Sequence, residues 1–236
     1  MKKGLQVIFF LIIIFSMAQC AKRGTPTGGE VDTEPPKFLR ASPENFTTNF
    51  NREEINIYFD EYIKLEKPQE QIIISPPIDP RPEITPMGSP RKYIRIKLND
   101  TTLQDNTTYV FNFGNSVVDN NEGNPLPFFK YVFSTGSYID SLTVTGTVSD
   151  AFLLEPEPFI SVMLYERDEN FSDSLVFKQQ PRYITNTLDS LRTFELTNLK
   201  EGTYQLVAVK DRNNDYKYNP GKEKIAFINE PMNYSY

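Results

Sequence analysis

The sequence predicts an all-β protein built from two antiparallel β-sandwiches in series, and three observations carry that prediction. Apolar residues recur with period two in many short runs, as they do when successive side chains point to opposite faces of a strand. Clusters of Pro, Asn, Asp and Gly punctuate the runs, each supplying turn geometry by its own mechanism. Eighteen prolines and few apolar patterns of helical period leave little room for helices.

Composition narrows the function classes. A net charge of -6 argues against nucleic acid, whose phosphates call for a basic surface, and against a polybasic membrane patch. With no histidine in the chain, Ser-His-Asp and Cys-His arrangements are impossible, as are zinc sites built on histidine. One cysteine permits no intramolecular disulfide, so the folds are held by their cores alone.

Taken in order, the chain opens on Lys2 and Lys3, an unbroken apolar run from Val7 to Phe15, and then the single cysteine, Cys20. That is the layout of a secretory signal peptide. Gly4 to Ala18 is short for ~30 Å of hydrocarbon, which takes about 20 apolar residues. With a cysteine at the cleavage point, residues 1–19 resemble a bacterial lipoprotein signal. The resemblance implies that Cys20 takes a lipid and becomes the first mature residue, in the outer membrane of the cell envelope. Gln19 departs from the small residue usual before that cysteine. The acidic run that in some bacterial lipoproteins follows the cysteine and marks surface export is missing from Ala21-Lys22-Arg23, so the face of the membrane stays open. Residues 20–36, dominated by Gly, Thr and Pro, read as a flexible tether.

About 215 residues remain after the signal, enough for one large or two ordinary domains. In the first, residues 37–136, the period-two runs are Ile55-Ile57-Phe59, Ile94-Ile96-Leu98, Tyr109-Phe111-Phe113 and Phe129-Tyr131-Phe133. Each is expected to bury one face and wet the other. Asp119 to Pro125 is a turn in which Gly123 is expected to supply a positive φ. Asp60 and Glu61 are adjacent and point apart on a strand, so they read as a solvated strand end rather than a catalytic pair.

The second domain, residues 140–236, follows after a short junction. Its runs are Leu142-Val144-Val148, Ile160-Val162-Leu164, Phe194-Leu196, Tyr204-Leu206-Ala208 and Ile225-Phe227. The polar insert from Glu166 to Ser190 reads as a surface excursion. Between the last two strands, oxygen side chains recur at Asp211, Asn213, Asp215 and Asn219. This is the alternation with which an EF-hand-like loop wraps Ca²⁺, Lys217 offering its backbone carbonyl. Tyr216 and Lys222 stand where the full loop has glycine and a closing glutamate. The loop is either a weak calcium site or a polar turn.

Several separated motifs carry a family resemblance. Asp32-Thr33-Glu34-Pro35-Pro36, Ser42-Pro43, Ile57-Tyr58-Phe59-Asp60-Glu61, Val118-Asp119 with Glu122-Gly123-Asn124-Pro125-Leu126, and Phe133-Ser134-Thr135-Gly136 resemble a bacterial Ig-like domain of the S-layer SbsA type. Leu199, Gly202 and Tyr204 resemble the L-x-x-G-x-Y turn of transthyretin-like or carboxypeptidase-regulatory-like sandwiches. The whole chain is similar to Ig-like lipoproteins of Bacteroidetes. Those relatives run on further, so the chain reads as a shortened member or an incomplete reading frame. Asp140-Ser141-Leu142, Asp173-Ser174-Leu175 and Asp189-Ser190-Leu191 are similar to an O-glycosylation motif of that group, which makes Ser141, Ser174 and Ser190 candidate acceptors.

The functional expectation is a non-enzymatic envelope lipoprotein, a spacer or interaction module bound to the membrane by its lipid. Its partner is an unnamed envelope protein or polysaccharide, and no cofactor is implied beyond the Ca²⁺ alternative. The second reading is a carbohydrate-binding module that offers Tyr183, Tyr216, Tyr218, Tyr234 and Tyr236 to sugar rings. An enzyme with an acidic site is the third. No nucleophile elbow, phosphate loop or metal-ligand cluster supports it.

Overall fold

The longest strand, β2 (Glu54–Leu65), organises the first half of the protein. Its alternate residues Ile55, Ile57 and Phe59 are buried, as their period requires. β2 pairs with β1 (Phe38–Ser42) on one side and β5 (Arg91–Lys97) on the other, and β5 pairs with β4 (Glu83–Thr85). A register shift between Tyr58 and Ile63 bulges the strand outward at Asp60, Glu61 and Tyr62. Beyond the bulge β2 changes partner and pairs with β7 (Val117–Asp119), a usual role for a bulge. The acidic pair therefore lies within a strand, not after one. Asp60 Oδ1 accepts the Lys37 N–H at 2.8 Å.

The facing sheet is β3 (Ile73–Ser75), β6 (Thr108–Asn112) and β8 (Lys130–Ser134). Tyr109, Phe111, Tyr131 and Phe133 point from it into the shared core with Ile55, Ile57, Ile94 and Ile96. The Phe133 ring is the hub, with Phe50 at 4.0 Å and Tyr109 at 5.3 Å between centroids. A single-turn helix, α1 (Pro68–Gln71), leads into β3.

The structure is a computed structural model that describes residues 29–98, 103–152, 155, 157–187 and 192–235. Thr33–Tyr236 form one compact unit. The protein is all-β in this unit, with its strands in antiparallel sheets. Among the described residues no helix is long and apolar enough to cross a membrane.

In the second half a two-stranded sheet, β9 (Leu142–Thr147) with β12 (Thr193–Leu199), faces a larger one. The larger sheet has the order β11 (Tyr183–Asn186), β10 (Ser161–Glu166), β13 (Gly202–Val209), β14 (Ile225–Phe227). A last strand, β15 (Met232–Tyr234), pairs with the start of β13. Val144, Phe194, Leu196, Val162, Leu164 and Leu206 fill the space between the sheets. Gly146 belongs to this packing: a Cβ there would lie 2.6 Å from the Phe194 ring.

Two expectations fail for one reason, a second layer of packing. Val110, Ile73 and Ser75, on the face of the β3-β6-β8 sheet that period two leaves to solvent, are buried. The second half covers them, with β3 against β11 and β6 against β12. The seam is also polar. Ser75 Oγ accepts the Ile184 N–H at 3.0 Å, Asn186 Nδ2 donates to the Glu70 carbonyl at 3.2 Å, and Lys130 meets Glu195 at 2.7 Å. Asp140, in the junction, is held by Thr108 Oγ1 at 2.8 Å, and its carbonyl accepts from Asn198 Nδ2 at 2.8 Å. The polar insert is likewise not all surface. Its short helix α2 (Leu175–Lys178) and Phe171 fold onto the outer face of the larger sheet, against Met163, Tyr165, Ile184, Val207 and Val209.

Candidate functional site

The outer face of the larger sheet carries an open cleft of about 440 Å³. Val207 of β13 and Val176 of α2 form its floor. Phe171 and Phe177 come from the insert, Tyr218 from the loop after β13, and Phe227 and Ile228 from the end of β14. Phe227 sits opposite Val207 in the ladder, so both side chains share the outer face. Phe227 is 65% exposed and Phe177 43%. The Phe177 and Tyr218 rings pack at 5.5 Å.

Polar groups line the same cleft. The Arg167 guanidinium lies over the Phe171 ring at 5.1 Å and donates to Gln205 Oε1 at 2.9 Å. Gln205, itself buried, donates onward to the Ile228 carbonyl. This chain fixes both Arg167 and the β14 end. The side chains of Asp173 and Asn229 also line the cleft, with no hydrogen-bond partner shown among the described residues.

The loop from Asp211 to Glu223 closes beside this face. The buried Asp211 carboxylate accepts N–H groups from Asn213 at 3.3 Å, Asn214 at 2.8 Å and Tyr216 at 2.9 Å. Asp215 accepts from Lys217 N and Asn213 Nδ2, both at 2.9 Å, and from Asn219 Nδ2 at 3.3 Å. Glu223 takes the Arg212 and Asn219 N–H groups at 3.0 and 2.8 Å. Burial pushes the Asp211 carboxyl up, and Asp215 and Glu223 add to this, against the Tyr216 and Asn214 N–H groups. The loop brings Asp211, Asn213, Asp215 and Asn219 together, and with them Glu223. Among the described residues no group of three or more His, Cys, Asp or Glu is arranged to hold a metal.

A similar turn in the first half closes around Asp119. Its Oδ1 accepts the N–H groups of Asn121 at 2.8 Å, Glu122 at 2.7 Å and Gly123 at 3.2 Å, and Oδ2 accepts that of Asn124 at 2.6 Å. Burial alone would raise the Asp119 carboxyl, but these four donors outweigh it and hold it below its ordinary value. Gly123 has φ 84°, as expected for this turn. Val118 bridges Pro125 as the chain turns back.

Residues 32–135 match the bacterial Ig-like domain family. The Ig-like domain thus takes in all eight strands from β1 to β8 and the Asp119 turn. The crystal structure of the N-terminal part of the bacterial S-layer protein SbsC is similar at 12% identity, with a TM-score of 0.29. That match covers 84% of this chain and 45% of the SbsC chain, so this protein spans under half the length of the solved chain it matches. No curated protein matches.

The cleft lies outside the Ig-like domain, and among the described residues Tyr218 is the one tyrosine expected to meet sugars that reaches it. Tyr183, in β11, and Tyr216, in the loop after β13, are 1% and 8% exposed, a correction to their reading as rings offered to sugars. The Tyr183 hydroxyl accepts the Lys200 N–H at 3.2 Å, and that of Tyr216 accepts from Arg81 at 3.3 Å. Tyr234 packs on Tyr204 at 6.2 Å. Sequence reasoning missed Phe171, Phe177 and Phe227 as site residues, because the insert and β14 are separate segments that share no period. Ser141 is exposed next to the buried Asp140. Ser174 Oγ lies 2.8 Å from Ser172 Oγ and accepts from Lys178 at 3.3 Å. Cys20, Ser190 and Tyr236 lie outside the described residues.

Proposed function

We propose that the protein is a lipid-tethered envelope module that works by recognition and not by catalysis. The observation that carries this reading is the cleft, where the exposed rings of Phe177 and Phe227 stand beside the polar side chains of Arg167, Asp173 and Asn229. By contrast, the buried carboxylates Asp119 and Asp211 are engaged by main-chain donors that shape turns. The Ig-like domain supports an envelope or cell-surface setting, and such sandwiches host recognition on scaffolds of many unrelated functions. Anchoring at Cys20 in the outer membrane completes the proposal, with an envelope protein or polysaccharide as partner.

The anchor is tested by Cys20→Ala followed by fractionation. Each buried methylene adds about 0.8 kcal/mol, so several acyl chains hold a protein firmly where one is marginal. Wild type is expected in the membrane fraction and the variant in the soluble fraction. A variant that stays with the membrane overturns lipid tethering. Proteins and glycans retained by the wild type, and absent from a control lipoprotein, are the direct readout of recognition.

A further inference from the structure

We infer that the cleft on the outer face of the β11-β10-β13-β14 sheet is a saccharide site, which seats a pyranose unit of an envelope polysaccharide. This rests on the recognition reading above and names the ligand class of that site. A pyranose has an apolar C–H face and a rim of hydroxyls. The aromatic rings of Phe177, Tyr218 and Phe227 that line the cleft suit the first, since aromatic faces carry negative charge that attracts polarised C–H groups. Arg167, Asp173 and Asn229 suit the second. They place planar donors and acceptors at the cleft edge, able to pair with neighbouring hydroxyls.

Size and rigidity agree with this. The 440 Å³ volume falls within the usual range of roughly 300–1,000 Å³ for small-ligand sites. The mouth is open, so a polymer can enter and leave along the surface. The Arg167–Gln205–Ile228 chain fixes the walls before the ligand arrives, which lowers the entropy lost on binding. An acyl chain fits poorly, because it would desolvate Arg167 and Asp173 without offering them partners.

The test uses the full mature chain, lipidated and held in detergent. Its probe is the polysaccharide fraction of the producing cell's envelope, immobilised, with maltotriose, mannotriose and chitotriose as free competitors at millimolar concentration. Retention on the polysaccharide, released by at least one competitor, is expected. Affinity is expected to fall about tenfold or more in Phe227→Ala and in Phe177→Ala. The unfolding midpoint of Phe227→Ala should hold, since its ring is 65% exposed, and Phe177→Ala should lose no more than the packing of its ring on Tyr218. Phe152→Ala, at a 92% exposed ring that borders a different hollow, should bind like wild type. Asn229→Ala serves as a second variant that removes no packing ring. No retention, or retention that the two phenylalanine variants and Asn229→Ala leave unchanged, overturns the saccharide site. A chain that ignores the polysaccharide yet captures an envelope protein fails this inference while leaving the recognition reading standing. A chain that captures neither fails both.

Discussion

Asp119 shows how one residue can hold a turn. Four N–H donors converge on its carboxylate. Asp119→Ala leaves these partly buried donors without their acceptor, and stability is expected to fall by about 1–2 kcal/mol. The folded-state pKa is lowered, so the stabilisation is fully present above the unfolded value of about 3.9 and is lost as pH falls through the folded one. Urea unfolding across acidic pH checks this. Wild type should lose stability over that window more steeply than Asp119→Asn, and equal slopes would remove Asp119 as the cause. Gly146 works by absence, since the Phe194 ring occupies the place of its missing side chain.

At the scale of elements, the longer strands were legible because their period is long enough to count. β2, β5, β6, β10 and β13 all follow their apolar runs. β3, β4, β7 and β15 have three residues each, too few to show a period. β11 was hidden in a polar insert, because its alternate side chains meet two different cores and need no polar face. The Asp211 loop was legible as a cluster of oxygens but not as a site. Its carboxyl is raised by burial, so without a cation its contribution is present below the ordinary carboxylate range and lost as pH rises through the raised value. A bound Ca²⁺ would relieve that cost and raise the unfolding midpoint with concentration. Thermal unfolding in millimolar Ca²⁺ against chelator decides between the two readings of this loop: as a calcium site it would shift wild type upward at neutral pH. Asp211→Ala combined with Asp215→Ala should not shift. An unchanged wild-type midpoint leaves the loop as a turn.

At the scale of the molecule, the seam decides how the two sandwiches behave. Ile73 joins the core cluster of the second half although it belongs to β3. Ile73→Ala is expected to cost about 2–4 kcal/mol. Wild type should unfold in urea as one transition seen alike by tyrosine fluorescence and circular dichroism. Two resolved transitions in wild type would mean that the halves are thermodynamically separate. None of this was legible in the chain, because a strand buried on both faces by different partners looks like an ordinary alternating strand until the second partner is placed. The junction at Asp140 has a mechanical consequence. Pinned by Thr108 on one side and Asn198 on the other, it cannot serve as a free swivel. A polymer pulling on the second sandwich would transmit torque to the first, and the pair would turn as a lever where two beads on a string would merely trail.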